Sequence, residues 1–185
     1  MVLKFKKLTP EAVIPTYAHH GDVGMDFTAI SLEYNKEWDC YMYHTGLACA
    51  SDFNWGQFIF PRSSNRKTDA YLCNSVGIID TAIYRGEIIF CFKNRTSFGT
   101  WASITSMEKA MGESINISDL RTNYLSNMTH LMENQEEYAL KMAPYNVGDK
   151  VGQLVMMSYE DVEIEEVDEL NETERGANAF GSSGN

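Results

Sequence analysis

An all-β sandwich or barrel, interrupted by one partly helical insertion, is the fold class the sequence predicts. Three observations carry that prediction. Short β-branched and aromatic runs recur with turn residues between them, the spacing of an antiparallel β domain. Apolar and polar side chains alternate with a period of two: Leu3 and Phe5 against Val2, Lys4 and Lys6, then Phe90 and Phe92 against Cys91 and Lys93. Strand character is lost over one long stretch, from Thr96 to about Met142.

The strand-forming runs come in order. "VLKFKKL" opens the chain, and "MDFTAISLEY", "WDCYMYHTGLACA", "GQFIFPRSS", "DAYLCNS", "VGIID" and "GEIIFCFKN" follow. After the interruption come "GDKVGQLVMMSY" and "VEIEEV". In the interruption, Leu120, Tyr124, Leu125, Met128, Leu131 and Met132 fall on one helical face, with Ser118 as the expected N-cap. "FGTWASITSMEKAM" ahead of them suits a shorter helix. In the acidic run "EDVEIEEVDEL" the expectation is a solvated edge strand, with Val162, Ile164 and Val167 turned inward.

The chain has 185 residues, 44% of them hydrophobic, which is enough for one domain with a substantial core. The N-terminus lacks the apolar stretch of a secretory signal, and no run suits a membrane helix. Cys40, Cys49, Cys73 and Cys91 show no CxxC spacing and read as reduced thiols of a cytoplasmic protein. A net charge of −11 argues against wrapping long nucleic acid, while leaving room for a small anion held by local cations.

Several constellations offer chemistry, each with a plainer reading. In "NSVGIIDTAIYRGEIIF", Asp80 interrupts an apolar stretch. A buried unpaired carboxylate is costly, so Asp80 must sit in a turn, be paired, or serve a reaction. "PRSS" places Arg62, Ser63 and Ser64 at a strand end, where a guanidinium fork and two hydroxyls suit phosphate, or form an ordinary turn. "HHGDVGMDFTA" combines His19, His20, Asp22 and Asp26. A hard cation reached through water by Asp26 suits it better than zinc, and a turn with Asx hydrogen bonds suits it as well. "NVGDKVGQLV" points Gln153 from a strand after a Gly-Asp turn. The tail "ERGANAFGSSGN" is either a flexible terminus or a backbone wrap for phosphate, with Phe180 able to stack on a flat ring.

Alone, each motif is weak. Together, "GDVGMDFTA", "PRSS", "NSVGIIDTAIYRGEI", "NVGDKVGQLV" and "RGANAFGSSG" follow the order of five motifs across nearly the whole chain, and in this the sequence resembles the trimeric dUTPase family. The resemblance implies a homotrimeric β jelly-roll built from residues 1–95 and 142–170, with an insertion at 96–141 and a glycine-rich arm at 171–185. It implies hydrolysis of dUTP to dUMP and pyrophosphate, with water attacking the α-phosphate, magnesium (Mg2+) as cofactor, and sites shared between subunits. Carried over, Asp80 orients and deprotonates the water at the mouth of a β-hairpin. Asn74, with the backbone of Gly77, Ile78 and Ile79, reads uracil. Tyr84 packs under the deoxyribose. Arg62, Ser63, Ser64 and Gln153 hold phosphates, and Asp26 touches the magnesium shell through water. Arg175, Phe180, Gly181, Ser182 and Ser183 form the closing arm.

Three departures accompany the resemblance. Tyr84 stands four residues after Asp80 where the family usually has three, so either a bulge at Thr81-Ala82 absorbs the extra residue or Ile83 takes the sugar-facing slot. The arm reads "RGANAFG", poorer in glycine than usual. The insertion is absent from compact members and suggests a phage or prophage type, acting in the host cytoplasm. It is either a surface elaboration or a docking surface for a regulatory protein. The competing functions are a dCTP deaminase-like enzyme, which shares "RSS", and a regulatory binding module.

Overall fold

A computed structural model describes residues 1–80 and 83–173. Two four-stranded antiparallel sheets face each other. The first runs β2 (Met25–Thr28), β10 (Lys150–Ser158), β6 (Trp55–Phe60), β8 (Gly77–Ile79). The second runs β3 (Ser31–Asn35), β4 (Cys40–His44), β9 (Ile89–Asn94), β7 (Ala70–Leu72). A separate pair joins β1 (Leu3–Lys7) to β5 (Leu47–Ser51). The result is a jelly-roll-like β fold, as expected from the strand pattern. The alternation in β1 and β9 holds, with Phe90 and Phe92 fully buried.

Two sequence runs that read as single strands are each split between sheets. In "MDFTAISLEY" the backbone changes partner between neighbours: Ala29 N–H bonds to Asp149 O, and Ile30 N–H to His44 O. In "WDCYMYHTGLACA" the break falls at Gly46, whose φ of 65° favours a residue without Cβ. The core forms where the sheets meet. Phe27 and Leu154 of the first sheet pack with Tyr43, Phe90 and Phe92 of the second, the Phe27 and Phe90 ring centroids lying 5.6 Å apart. Gly152 lets β10 approach closely, since a Cβ there would run into the Phe90 ring.

The expected acidic edge strand does not form. Residues 160–173 have no strand pairing, and Val162 and Ile164 are exposed at 80% and 92%. A strand needs a ladder partner. Here β10 is already flanked by β2 and β6, and its last neighbour, Tyr159 N–H, ends on Asn54 O.

Three helices follow β9: α1 (Phe98–Glu113), α2 (Ile117–Glu133) and α3 (Gln135–Leu140). The cap of α2 is Asn116, not Ser118. Its Oδ1 accepts Asp119 N–H at 3.0 Å while its Nδ2 donates to the Asp119 carboxylate at 2.9 Å. Of the expected apolar face, Leu131 is buried, but Leu125 and Met132 point to solvent. The facing side of α1 is a small-residue row, Ala102, Ser106 and Ala110, which lets the two helices approach closely. The helices are tied to the β core by specific bonds. Tyr41 Oη donates to Ala139 O at 3.0 Å, Gln135 Nε2 donates to Tyr34 Oη at 3.0 Å, and Phe98 N–H donates to Asp39 Oδ2 at 3.1 Å. All four cysteines are free. Among the described residues, no helix is long and apolar enough to cross a membrane.

Candidate active site

Three strands of the first sheet set out one cluster in a row. Register places Asp26 of β2 opposite Gln153 of β10, and Gln153 opposite Phe60 of β6, so Pro61-Arg62 leaves β6 beside both. Gly24 gives Gln153 its room, because a Cβ there would collide with the Gln153 side chain. Gln153 Nε2 donates to Pro61 O at 3.3 Å. Arg62 Nε donates to Asp26 Oδ1 at 2.8 Å, and its guanidinium reaches Ser64 Oγ at 3.4 Å. Lys150 Nζ donates to Asp26 Oδ2 at 2.9 Å. The Asp26 side chain is only 11% exposed, so two cations converge on one largely buried carboxylate. Ser63 opens a short 3-10 helix, Ser63–Lys67, pinned by Asn65 Nδ2 to Ala70 O and by Tyr145 Oη to Asn65 Oδ1. Burial pushes the Tyr145 phenol up, against the pull of Arg62, so it stays a donor. A cavity of about 440 Å³ opens here, lined by Asp22, Gly24, Asp26, Arg62, Ser63 and Gln153.

The chemistry of these donors decides which ion suits them. Both Asp26 oxygens already accept from cations. Among the described residues, no three His, Cys, Asp or Glu side chains converge as a metal cage. His19 turns to Asp22 within its own loop, its N–H donating to Asp22 Oδ2 at 2.8 Å and its ring nitrogen lying 3.6 Å from the same oxygen. With both oxygens so engaged, Asp26 suits a hard cation that keeps its own water shell better than one bound directly by a protein cage.

A second cluster lies on β8 and the loop after it. Asn74, Gly77, Ile79, Asp80, Tyr84 and Glu87 line a cavity of about 210 Å³. Ser75, at φ 57°, turns the chain from β7 to β8, and Gly77 lets Asn74 and Ile59 close over it. Asp80 is not at the mouth of a β8–β9 hairpin, because β8 pairs with β6 and β9 belongs to the other sheet. The carboxylate instead leaves the end of β8 on a loop that crosses between sheets, exposed rather than in the core. The Asp80 carbonyl accepts Tyr84 N–H at 2.8 Å and Ile83 N–H at 3.2 Å. Tyr84 shares the cavity with Asn74 and Asp80. Ile83, 81% exposed, lines an adjoining cavity with Phe58 and Tyr159, which Asp80 also borders but Asn74 does not. The expected bulge at Thr81-Ala82 and the arm residues Arg175, Phe180, Gly181, Ser182 and Ser183 lie outside the described residues.

The two clusters do not meet within one chain. β8 pairs with β6 so that Ile79 faces Gln57, which sets Asp80 near Gly56, while Arg62 leaves the other end of β6. At the rise of a strand, six residues separate them by about 20 Å.

Sequence reasoning missed Lys150. Simple alternation puts residues 150 and 153 on opposite faces, but the register shifts between Lys150 and Gly152, and this irregularity returns both to the Asp26 side. It also missed His44 and Glu87, which are 43 residues apart in sequence and 2.9 Å apart in space.

A dUTPase family model matches residues 139–184. The deoxyuridine 5'-triphosphate nucleotidohydrolase of Clostridium kluyveri is 30% identical over 100% of this chain and 99% of its own length, and that of Trichodesmium erythraeum is 29% identical over the same shares. Among solved structures, the dUTPase of Staphylococcus bacteriophage 80alpha, bound to dUPNHPP, superposes with a TM-score of 0.63 at 19% identity, covering 99% of this chain and 98% of that one. The dUTPase of phage phi11 of S. aureus, solved to visualise a species-specific insert, gives 0.59 at 19% identity, over 94% of this chain and 100% of that one.

Proposed function

The chain belongs to the dUTPase family and is a dUTP diphosphatase, and from that premise we propose that it builds each active site from residues of two or more copies of itself in a homotrimer. The separation of Asp80 from Arg62 along β6 carries this reading. Catalysis needs the base beside the reacting phosphorus. A nucleotide whose phosphates lie on Arg62 of one copy therefore meets Asp80 of another.

In this reading Asn74 and the Gly77–Ile79 backbone receive the uracil edge, and Tyr84 lies against the deoxyribose. Asp80 orients a water and takes its proton as the oxygen attacks the α-phosphorus. The bond to the bridging oxygen breaks, pyrophosphate leaves, and dUMP remains. Arg62, Ser63, Ser64 and Gln153 hold the phosphates, with Lys150 as a further cation, so that charge is stabilised where it develops. Magnesium, when bound, would neutralise phosphate charge, and Asp26 would touch its water shell. Arg175, Phe180, Gly181, Ser182 and Ser183 supply closure over the site. The chain acts in the cytoplasm, in that of a host cell if it is phage-encoded.

Pyrophosphate release measured with dUTP, dTTP, dCTP and UTP tests the assignment. Turnover of dUTP alone is expected. Ammonia released from dCTP would establish a deaminase instead.

A second role rests on the helices. Ile115 and Ile117 are 95% and 85% exposed at the α1–α2 tip. Neither cavity above is lined by residues of 96–141. This tip suits a regulatory protein partner, and the 80alpha dUTPase is described as controlling transfer of virulence genes. Loss of partner capture on Ile115→Asp/Ile117→Asp, with hydrolysis intact, is the expected outcome.

A further inference from the structure

We propose that His44 is a positioning residue for sugar selectivity, holding Tyr84 in place through Glu87; the inference rests on the reading of Tyr84 as the side chain against the deoxyribose. The links are short and continuous. The Tyr84 hydroxyl donates to the Glu87 carbonyl at 2.9 Å, and the ring lies over Gly86, where a Cβ would collide with it. The Glu87 side chain is fixed at both oxygens: Gly46 N–H donates to Oε1 at 2.7 Å and the His44 ring to Oε2 at 2.9 Å.

His44 is itself held between strands. It stands opposite Ser31 on β3 and Ile89 on β9, and its other ring nitrogen faces the Glu33 carboxylate at 3.7 Å. The next residues reinforce the seat, with Thr45 Oγ1 donating to Ile88 O at 2.7 Å and Ile88 N–H to Leu47 O at 2.8 Å. The second sheet therefore reaches the nucleoside cavity, which Glu87 also lines, from behind. Discrimination against a 2′-hydroxyl depends on a tyrosine ring that cannot yield to one extra oxygen. With His44 gone, the Glu87 carboxylate keeps, among the described residues, the Gly46 donor; the peptide of Glu87 and Ile88 is then held to the second sheet by the Ile88–Leu47 bond with one side-chain anchor fewer, and the carbonyl that seats Tyr84 is held less stiffly.

The test is the ratio of kcat/KM for dUTP to that for UTP. His44→Leu is expected to lower this ratio about fivefold, the factor carried by one ordinary hydrogen bond. His44→Asn, whose amide nitrogen replaces Nδ1 as donor, should restore it to within about twofold. Tyr84→Phe removes the hydroxyl link, and the double variant with His44→Leu should be no less selective than the worse single variant, because both cut one chain of contacts. His44→Gln reaches toward Glu33 instead of Glu87, and it should behave as His44→Leu does if the leucine variant fails to fold. An unchanged ratio in His44→Leu or His44→Gln, or effects that multiply in the double variant, overturns the proposal. Tyr84→Ala separates the two levels. If it leaves the ratio unchanged, the reading of Tyr84 fails. If it collapses the ratio while the His44 variants do not, only the role of His44 fails.

Discussion

Mixing two dead enzymes should produce a live one. Asp80→Asn removes the proposed base and Arg62→Ala removes the phosphate fork, and each variant alone should be nearly inactive. Because the two residues sit at opposite ends of β6, about 20 Å apart, a site drawing Asp80 from one copy and Arg62 from its neighbour can be intact in a mixed trimer. When equal amounts of the two variants are unfolded together and refolded, subunits assort at random. An intact site needs an Arg62→Ala subunit to supply Asp80, with probability one half, and an Asp80→Asn subunit to supply Arg62, again one half. The mixture should thus recover about a quarter of wild-type sites, since closed symmetric rings repeat one interface around the axis. Initial rates of pyrophosphate release, normalised to total subunits and followed over a range of mixing ratios, read this directly. The recovery should peak at equal amounts and vanish at either extreme. If size-exclusion shows mixed trimers and activity stays at the level of the separate variants, the shared-site argument is wrong.

Asp80→Asn alone should bind dUTP yet lose roughly 10²–10⁴ in kcat, the span of a general base, and near-normal turnover would remove Asp80 from that role. Gly152→Ala should destabilise the fold by about 2–3 kcal/mol, because the added methyl enters the Phe90 ring's space in a packed core; the urea midpoint measures this. Alkaline titration should expose the buried thiols. Cys40 and Cys49 are pushed up to about 11 from 9.0, foremost by burial, so the folded state holds protons that the unfolded chain releases. Their contribution is intact below pH 9 and lost as pH rises toward 11, which a flat stability profile across that range would contradict. Replacing residues 97–141 with a short glycine-serine link should spare dUTP hydrolysis, since no residue of that segment lines either cavity; a folded, trimeric but inactive product would show that the helices take part in catalysis.

Much of the lining of the two cavities was legible because its residues keep local company. Arg62 and its hydroxyls follow β6 directly, and Asn74, Gly77 and Asp80 lie within one short run. Glycines mark the close approaches that the motifs need, as Gly77 against Ile59 and Gly24 against Gln153 show. Lys150 escaped because a register shift in β10 overrules period-two reasoning. The clamp of His44 on Glu87 escaped because nothing local signals a pair brought together by sheet order. The acidic run misled for the opposite reason: its alternation is real, but alternation does not provide a neighbouring strand.

The amino-acid order alone determined the β class, the helical interruption and the identity of most polar residues that line the two cavities, because periodicity, turn chemistry and motif order are properties of neighbours along the chain. Only the tertiary structure decided which sheet each strand joins, that "MDFTAISLEY" crosses from one sheet to the other, and that Asp80 and Arg62 stand at opposite ends of β6. Those outcomes depend on which backbone donors find which acceptors across long sequence separations, and local pattern carries no record of that pairing.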